Sequence, residues 1–313
     1  MPDTESSIVN AMTVDVEDYF HVAALAQSID RSRWNEMEYR AENSTRRLLD
    51  LFDESKLKAT FFVLGWVAKR SPDLIREIHA RGHEVASHGM SHKLVFNQTP
   101  EEFSSETYES KALLEDIIGS RVLGYRASTY SITRRSLWAL DVLHEAGFIY
   151  DSSIFPIHHD VYGIPDASQV PSRVATPKGA SIVEFPMSTA PMFGARLPVS
   201  GGGYFRLLPY WLTRSGLRKL NGQLGRSFIF YLHPWEVDPG QPRVPARLLS
   251  RLRHYTNLER CEARLRRLIG EFRFAPVRDV LRSQRLLTVE RNDWMAAPQI
   301  STTVATQRGA FAQ

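Results

Sequence analysis

Reactive side chains recur just after the C-terminal ends of predicted strands, and this register constrains the fold more than any other feature of the chain. Asp15 follows the apolar run at residues 8–14, His88 follows Glu84-Val85-Ala86-Ser87, and Arg126 follows Val122-Leu123-Gly124-Tyr125. His233 follows Phe228-Ile229-Phe230-Tyr231-Leu232 in the same way. Helical segments separate these runs. Leu48, Leu49, Leu51 and Phe52 give residues 45–52 an apolar face, and Ser71-Pro72 opens a helix that closes near Gly82. Thr99-Pro100-Glu101-Glu102 combines an N-cap, an N1 proline and a capping-box glutamate, which predicts a helix to about Ile118. Thr133 caps the next helix, with Ile132 and Leu137 as its hydrophobic staple and Gly147 as its stop. Residues 59–64 and 181–185 supply further strands. Strands alternating with helices imply a parallel sheet with crossover connections. In a β/α barrel every strand opens its C-terminal end on one face, and that face carries the chemistry.

The 313 residues are long enough for such a barrel, and a hydrophobic share of 43% excludes wholesale disorder. One cysteine, Cys261, excludes an internal disulfide and a thiolate zinc cluster. No apolar run approaches the roughly 20 residues of a membrane span. The opening MPDTESSIVNAM lacks the basic-then-apolar pattern of a cleaved signal, so a cytoplasmic location is expected. Net charge is +4, yet residues 241–270 hold eight arginines, no lysine and two glutamates. One basic segment is not a nucleic-acid-binding composition. Its bland reading is a solvated helical face, and its alternative is attraction to an anionic glycan or peripheral association with a membrane.

The expected organisation is a barrel over residues 1–240, an Arg-rich helical extension over 241–287 packed on it, and a flexible tail over 288–313. Residues 186–227, rich in Gly and Pro, read as a long insertion before the last strand. Within it Gly201-Gly202-Gly203 is no phosphate loop, because neither Lys-Ser/Thr nor a helix opening is expected to follow. His158-His159 reads as a surface loop pair.

His88 and His92, at i and i+4, would point the same way on a helical turn, about 6 Å apart, which suits two ligands of one ion. Two histidines and a carboxylate leave positions for water and substrate, the layout of a catalytic site. Asp15 and Glu17 share a face of an extended strand, which favours Glu17 as ligand over Asp18, while another carboxylate of the cluster could take a proton from attacking water. Asp18 stays open as an alternative ligand, and His21 is a candidate extra one. Arg126 could hold a carboxylate ionised. His233, beside Pro234 and Trp235, could protonate a leaving amine. Read singly, these have bland alternatives in solvated loop acids, a surface ion pair and a satisfied core histidine.

Together they are not bland. Thr13-Val14-Asp15, residues 59–65, and Gly82-His83-Glu84-Val85-Ala86-Ser87-His88 with His92 resemble the polysaccharide deacetylases of carbohydrate esterase family four. Gly124-Tyr125-Arg126 and Leu232-His233 follow in that family's order. Asp-Val-Glu-Asp-Tyr-Phe, Ser-Ser-Ile-Phe-Pro and Gly-Ile-Pro-Asp resemble the subgroup found with exopolysaccharide loci. The resemblance implies a distorted (β/α)7 barrel that removes N-acetyl groups from amino sugars with a divalent ion, commonly zinc. It implies Asp15 as general base, His233 as general acid and Arg126 as orienter of the base. It also implies His88, His92 and one of Glu17 or Asp18 as ligands, Leu232 lining an acetyl pocket, and Asp151 fixing the tautomer of His233. Tyr130 and Trp235 are further candidates to contact the sugar. Two departures stand out: the family's adjacent aspartates are here spread over Asp15, Glu17 and Asp18, and Ser128 replaces a proline, which is expected to loosen the loop after Arg126. Relatives of this kind hydrolyse other C–N bonds, so a ureide, formamide or peptidoglycan amide is the rival substrate. A non-catalytic glycan-binding barrel is the second rival.

Overall fold

The computed structural model describes residues 8–287. Its first half follows the alternation expected: β1 (Val9–Val16), α1 (Ala41–Glu54), β2 (Thr60–Val63), α2 (Gly65–Arg70), α3 (Pro72–Ala80) and β3 (Glu84–Ser87). Next come α4 (Pro100–Ile118), β4 (Gly124–Tyr125), α5 (Ala139–Glu145) and β5 (Tyr150–Asp151). The capping box predicted for α4 is formed: Thr99 Oγ1 accepts from the Glu102 amide and Glu102 Oε2 from the Thr99 amide. The helix ends at Gly119 in the left-handed region.

The chain continues through β6 (Ser172–Ala175), β7 (Ser181–Glu184), the hairpin β8 (Thr189–Met192) and β9 (Ala195–Pro198), and the helices α6 (Gly202–Leu207) and α7 (Tyr210–Arg218). It closes with β10 (Ile229–Leu232), α8 (Leu248–Tyr255), α9 (Leu258–Glu271), β11 (Arg273–Ala275) and α10 (Val277–Ser283). The barrel strands run in the order β10, β1, β2, β3, β4, β5, β7, all parallel, with β6 antiparallel at the edge. Seven parallel strands with crossovers confirm the distorted (β/α)7 barrel.

The distortion lies at one seam. Between β7 and β10 there is no ladder. Instead the Tyr231 amide donates to Ser200 O at 2.7 Å, the Ile229 amide to Ser188 Oγ at 2.9 Å, and Ser200 Oγ to Ser188 O at 3.1 Å. The insertion that supplies these serines is folded into the β8–β9 hairpin and the helices α6 and α7. Gly201, at φ 119°, would push a Cβ to 2.0 Å from the Tyr231 carbonyl, so glycine here permits close approach, and α6 starts at the next residue. Gly216 likewise lets α7 pack on the hairpin, where a Cβ would meet Val199 at 2.8 Å.

Side chains alternate across the strands. Met12, Val14, Phe61, Val63 and Val85 face outward and pack with Leu48, Phe52, Leu74 and Ile78 of the surrounding helices. Ala11, Phe62, Ala86, Tyr150, Val183, Ile229 and Tyr231 face the barrel interior. The Arg-rich extension does more than coat the barrel. β11 pairs with the start of β1, and α10 sends Val277, Val280 and Leu281 into the interior cluster. There the Val277 amide donates to Thr60 Oγ1 at 2.8 Å, so α10 seals the N-terminal end of the strands and leaves the C-terminal end open. No helix among the described residues is long and apolar enough to cross a membrane. The tail expected over 288–313 lies outside the described residues.

Candidate active site

At the open end lies a cleft of about 600 Å³ lined by Asp15, Glu17, His88, His92, Tyr130, Tyr231, His233 and Trp235, among others. Strand parity explains this membership. Asp15 and Glu17 continue the inward set of Ala11 and Thr13, His88 continues Ala86, and His233 continues Ile229 and Tyr231.

Glu17, His88 and His92 each offer a ligand atom, and the three atoms lie within 4.8 Å of one another. The two imidazole rings are 5.6 Å apart, but a loop rather than a helical turn joins them. Gly89 and His92 both take positive φ, 75° and 58°, which turns the second imidazole back toward the first. His88 Nδ1 lies 2.9 Å from the Arg126 carbonyl, which can only accept, so the proton sits on Nδ1 and Nε2 presents its lone pair inward. Burial pushes the His88 pKa down to about 4, keeping the ring neutral. Glu17 Oε2 is buried with no hydrogen bond of ordinary geometry, and His92 Nε2 stands 2.5 Å from it. Burial opposes its charge, yet His92, His233 and His88 hold the Glu17 carboxyl well below the usual range. An anionic oxygen without a donor, beside two imidazole nitrogens, fits a divalent cation.

Asp15 Oδ1 accepts from Arg126 Nη1 at 2.7 Å. Arg126 is wholly buried, and its other donors reach Thr13 Oγ1 at 2.8 Å, Ser152 Oγ at 3.0 Å and Ser152 O at 3.2 Å. Its guanidinium lies over the Phe62 ring at 4.1 Å. Every contact orients one charge against one carboxylate. The loop that follows is pinned rather than loosened: Ser131 Oγ donates to Ser128 O, and the Ala127 amide to Ser153 Oγ. Thr129 and Tyr130 occupy the left-handed region consecutively, φ 56° and 53°, and this sets the Tyr130 ring against Tyr231 on the cleft wall.

His233 Nε2 lies 3.7 Å from Glu17 Oε1, and its Nδ1 is held by Glu236 Oε1 at 2.9 Å. Glu236 in turn takes Arg206 Nε of α6 on its other oxygen at 2.6 Å. Trp235 stacks between His233 and His254. Burial opposes the His233 charge, but Glu236, Glu17 and Asp15 raise its pKa to about 9. Burial also opposes the Glu236 charge, and Arg206 with His233 lowers its pKa to about 2. In a Glu236→Gln variant the imidazole keeps a neighbour but loses a charge. Its pKa should then fall by about 1–3 units, measured by NMR titration of the His233 ring. An unchanged titration would remove Glu236 from the site.

Three expected residues are not brought to the site, and each fails on parity. Asp18 points outward: its oxygens accept from the amides of Tyr19, Arg40 and Ala41 at 2.6–2.8 Å, capping the start of α1, so it is no ligand. Asp151 lies between inward Tyr150 and Ser152, accepts from Ser153 Oγ at 2.6 Å and does not touch His233. Glu236 holds that histidine instead. Leu232 packs outward with Val14 and Phe230, and Tyr231 takes its place on the cleft wall. His21 stands beside the ligand set rather than in it: its Nδ1 accepts from the Asp18 amide, and its ring sits among Trp34, Trp66 and His92. His159 stands on the cleft wall, stacked on Tyr162. Glu236 had a sequence signal, since His233-Pro234-Trp235-Glu236 has the capping-box spacing of Thr99-Pro100-Glu101-Glu102. Arg206 had none.

Residues 29–148 match the polysaccharide deacetylase family, and residues 152–282 match a domain family of unknown function, DUF3473. A chitooligosaccharide deacetylase of Rhizobium leguminosarum bv. trifolii is 32% identical over 117 residues, 37% of this chain and 50% of the relative. Aligned stretches span half or less of the length of the first curated relatives matched. A Mycobacterium smegmatis structure, provisionally described as a polysaccharide deacetylase, superposes with a TM-score of 0.60 at 21% identity, over 96% of this chain and 97% of that one. The Puue allantoinase structure superposes with a TM-score of 0.58 at 16% identity, over 92% and 94%. At these identities the superpositions establish the fold alone.

Proposed function

We propose, from the premise that this chain carries a polysaccharide deacetylase domain, that it is a zinc-dependent hydrolase removing N-acetyl groups from the amino sugars of a bacterial polysaccharide. One observation carries the reading: a buried carboxylate paired to Arg126, a three-residue ligand set and a histidine held by Glu236 share one open cleft. Glu17, His88 and His92 would hold the ion, which when bound supplies a Lewis acid for the acetamide carbonyl and a lowered pKa for water.

The chain's own residues do the rest. Asp15, oriented by Arg126, takes the proton of the attacking water. His233, protonated at neutral pH, gives a proton to the sugar nitrogen as the C–N bond breaks, and its ring orientation is held by Glu236 and Arg206. Tyr130, Tyr231 and Trp235 bound the space for the sugar. Acetate leaves, and the glycan keeps a free amine.

The test is acetate release from N-acetylated chitooligosaccharides set against a panel of ureides and formamides, before and after chelation. Activity on the sugars alone, lost to a chelator and restored by zinc, is the expected outcome. The shared allantoinase fold makes the ureide arm necessary, and preference for that arm would replace the substrate class. Sugar binding without zinc uptake or acetate release would leave a glycan-binding barrel.

A further inference from the structure

The basic segment singled out in the sequence plays no part in the proposed chemistry. Residues 239–258 contain four arginines and no acidic residue. Arg243, Arg247, Arg251 and Arg253 are all exposed, and none forms an ion pair among the described residues, although arginines of α9 such as Arg266 and Arg267 are paired with glutamates. In the same segment Leu248, Leu249 and Leu252 are 71%, 59% and 52% exposed, an unusual state for three leucines on one short helix.

Helical geometry arranges these residues into a pattern. At about 100° per residue, the three leucines centre on the side of α8 opposite His254. His254 is buried, its Nε2 2.7 Å from Gln241 Oε1, and its carbonyl accepts from Arg206. That anchorage fixes the rotation of the helix, so the leucines point away from the protein. Arg251 falls on one flank of the leucine stripe and Arg253 on the other, and exposed Arg247 precedes the stripe at the N-cap. An outward apolar stripe between two cationic flanks is the form of a helix lying in a membrane interface. A soluble polyanion would use the arginines but would have no use for the leucines.

We propose that α8 docks this chain on the surface of an anionic lipid bilayer. The leucines enter the acyl boundary while the arginines meet lipid phosphates and the negative surface potential. Arg253 also lines the cleft, as does the half-exposed Leu207 of α6, so a chain held through α8 carries its cleft mouth beside the bilayer. This inference stands apart from the deacetylase reading and survives its failure.

The experiment is sedimentation of the full chain with phosphatidylglycerol-containing vesicles, and with vesicles of phosphatidylcholine alone. Binding to the first, weak binding to the second and release by salt are expected. Leu248→Ser/Leu249→Ser/Leu252→Ser should lower partitioning roughly tenfold or more. Arg247→Gln and Arg251→Gln should each lower it about fivefold. All these positions lie off the cleft wall, so melting temperature and turnover of a soluble oligosaccharide should stay unchanged. No vesicle binding, equal binding to both vesicle types, or binding indifferent to the leucine variant would overturn the proposal. So would light scattering showing that the leucines hold two copies of the chain together.

Discussion

Replacing Asp15 with asparagine is expected to slow acetate release by about 10²–10⁴-fold while the chain keeps its zinc. The reasoning is geometric. Asp15 lines the cleft and spends one oxygen on Arg126, whereas the ligand set is complete without it. Asparagine keeps an acceptor for the guanidinium but cannot take a proton. It also leaves a fully buried arginine without a counter-charge, so the variant should melt earlier, and its rate must be measured well below that transition. Metal content by emission spectroscopy separates the two roles. A variant that holds zinc and turns over at the full rate would sink Asp15 as base, and loss of zinc with loss of rate would make it a ligand.

Replacing Arg206 with methionine is expected to destabilise the chain by about 3–5 kcal/mol. Arg206 and Glu236 are each 1% exposed. Besides Glu236, the guanidinium satisfies the carbonyls of His254, Thr256 and Arg253 at 2.8, 2.9 and 3.1 Å. Methionine fills the volume, strands those carbonyls and leaves Glu236 with His233 as its one close cation. The sign with pH follows from the lowered carboxyl. The contribution is complete above the ordinary glutamate value and fades as pH falls toward 2. Urea unfolding at neutral and acid pH measures both. A change below about 1 kcal/mol at neutral pH would mean that the pair carries no more than a surface ion pair does.

Much of the site was legible because a strand imposes a period of two. Asp15 and Glu17 were placed on one face by that rule, and His88 and His233 were marked by their positions after apolar runs. The same rule, applied at Asp151 and Leu232, would have turned both away, since Tyr150 and Tyr231 beside them face inward. Asp18, left open as the alternative ligand, is turned away by the same rule and held by the amide of Tyr19 and by amides at residues 40 and 41, more than twenty positions away. The capping spacing of Glu236 is present in the sequence, but the turn it opens spans only Pro234–Val237, too short for helical periodicity to mark it.

The order of motifs, the strand–helix alternation and the parity of each strand therefore determined, from the sequence by itself, the barrel and the face on which its reactive groups meet. These properties depend on neighbours one to four positions apart, which any reader of the chain can see. Tertiary structure alone decided that Arg206 reaches Glu236 across thirty residues, that serines close the seam between β7 and β10, and that α10 plugs the far end. Such contacts arise when elements distant in the chain bury a charge or an unpaired strand edge together, and no local period encodes which partner will arrive.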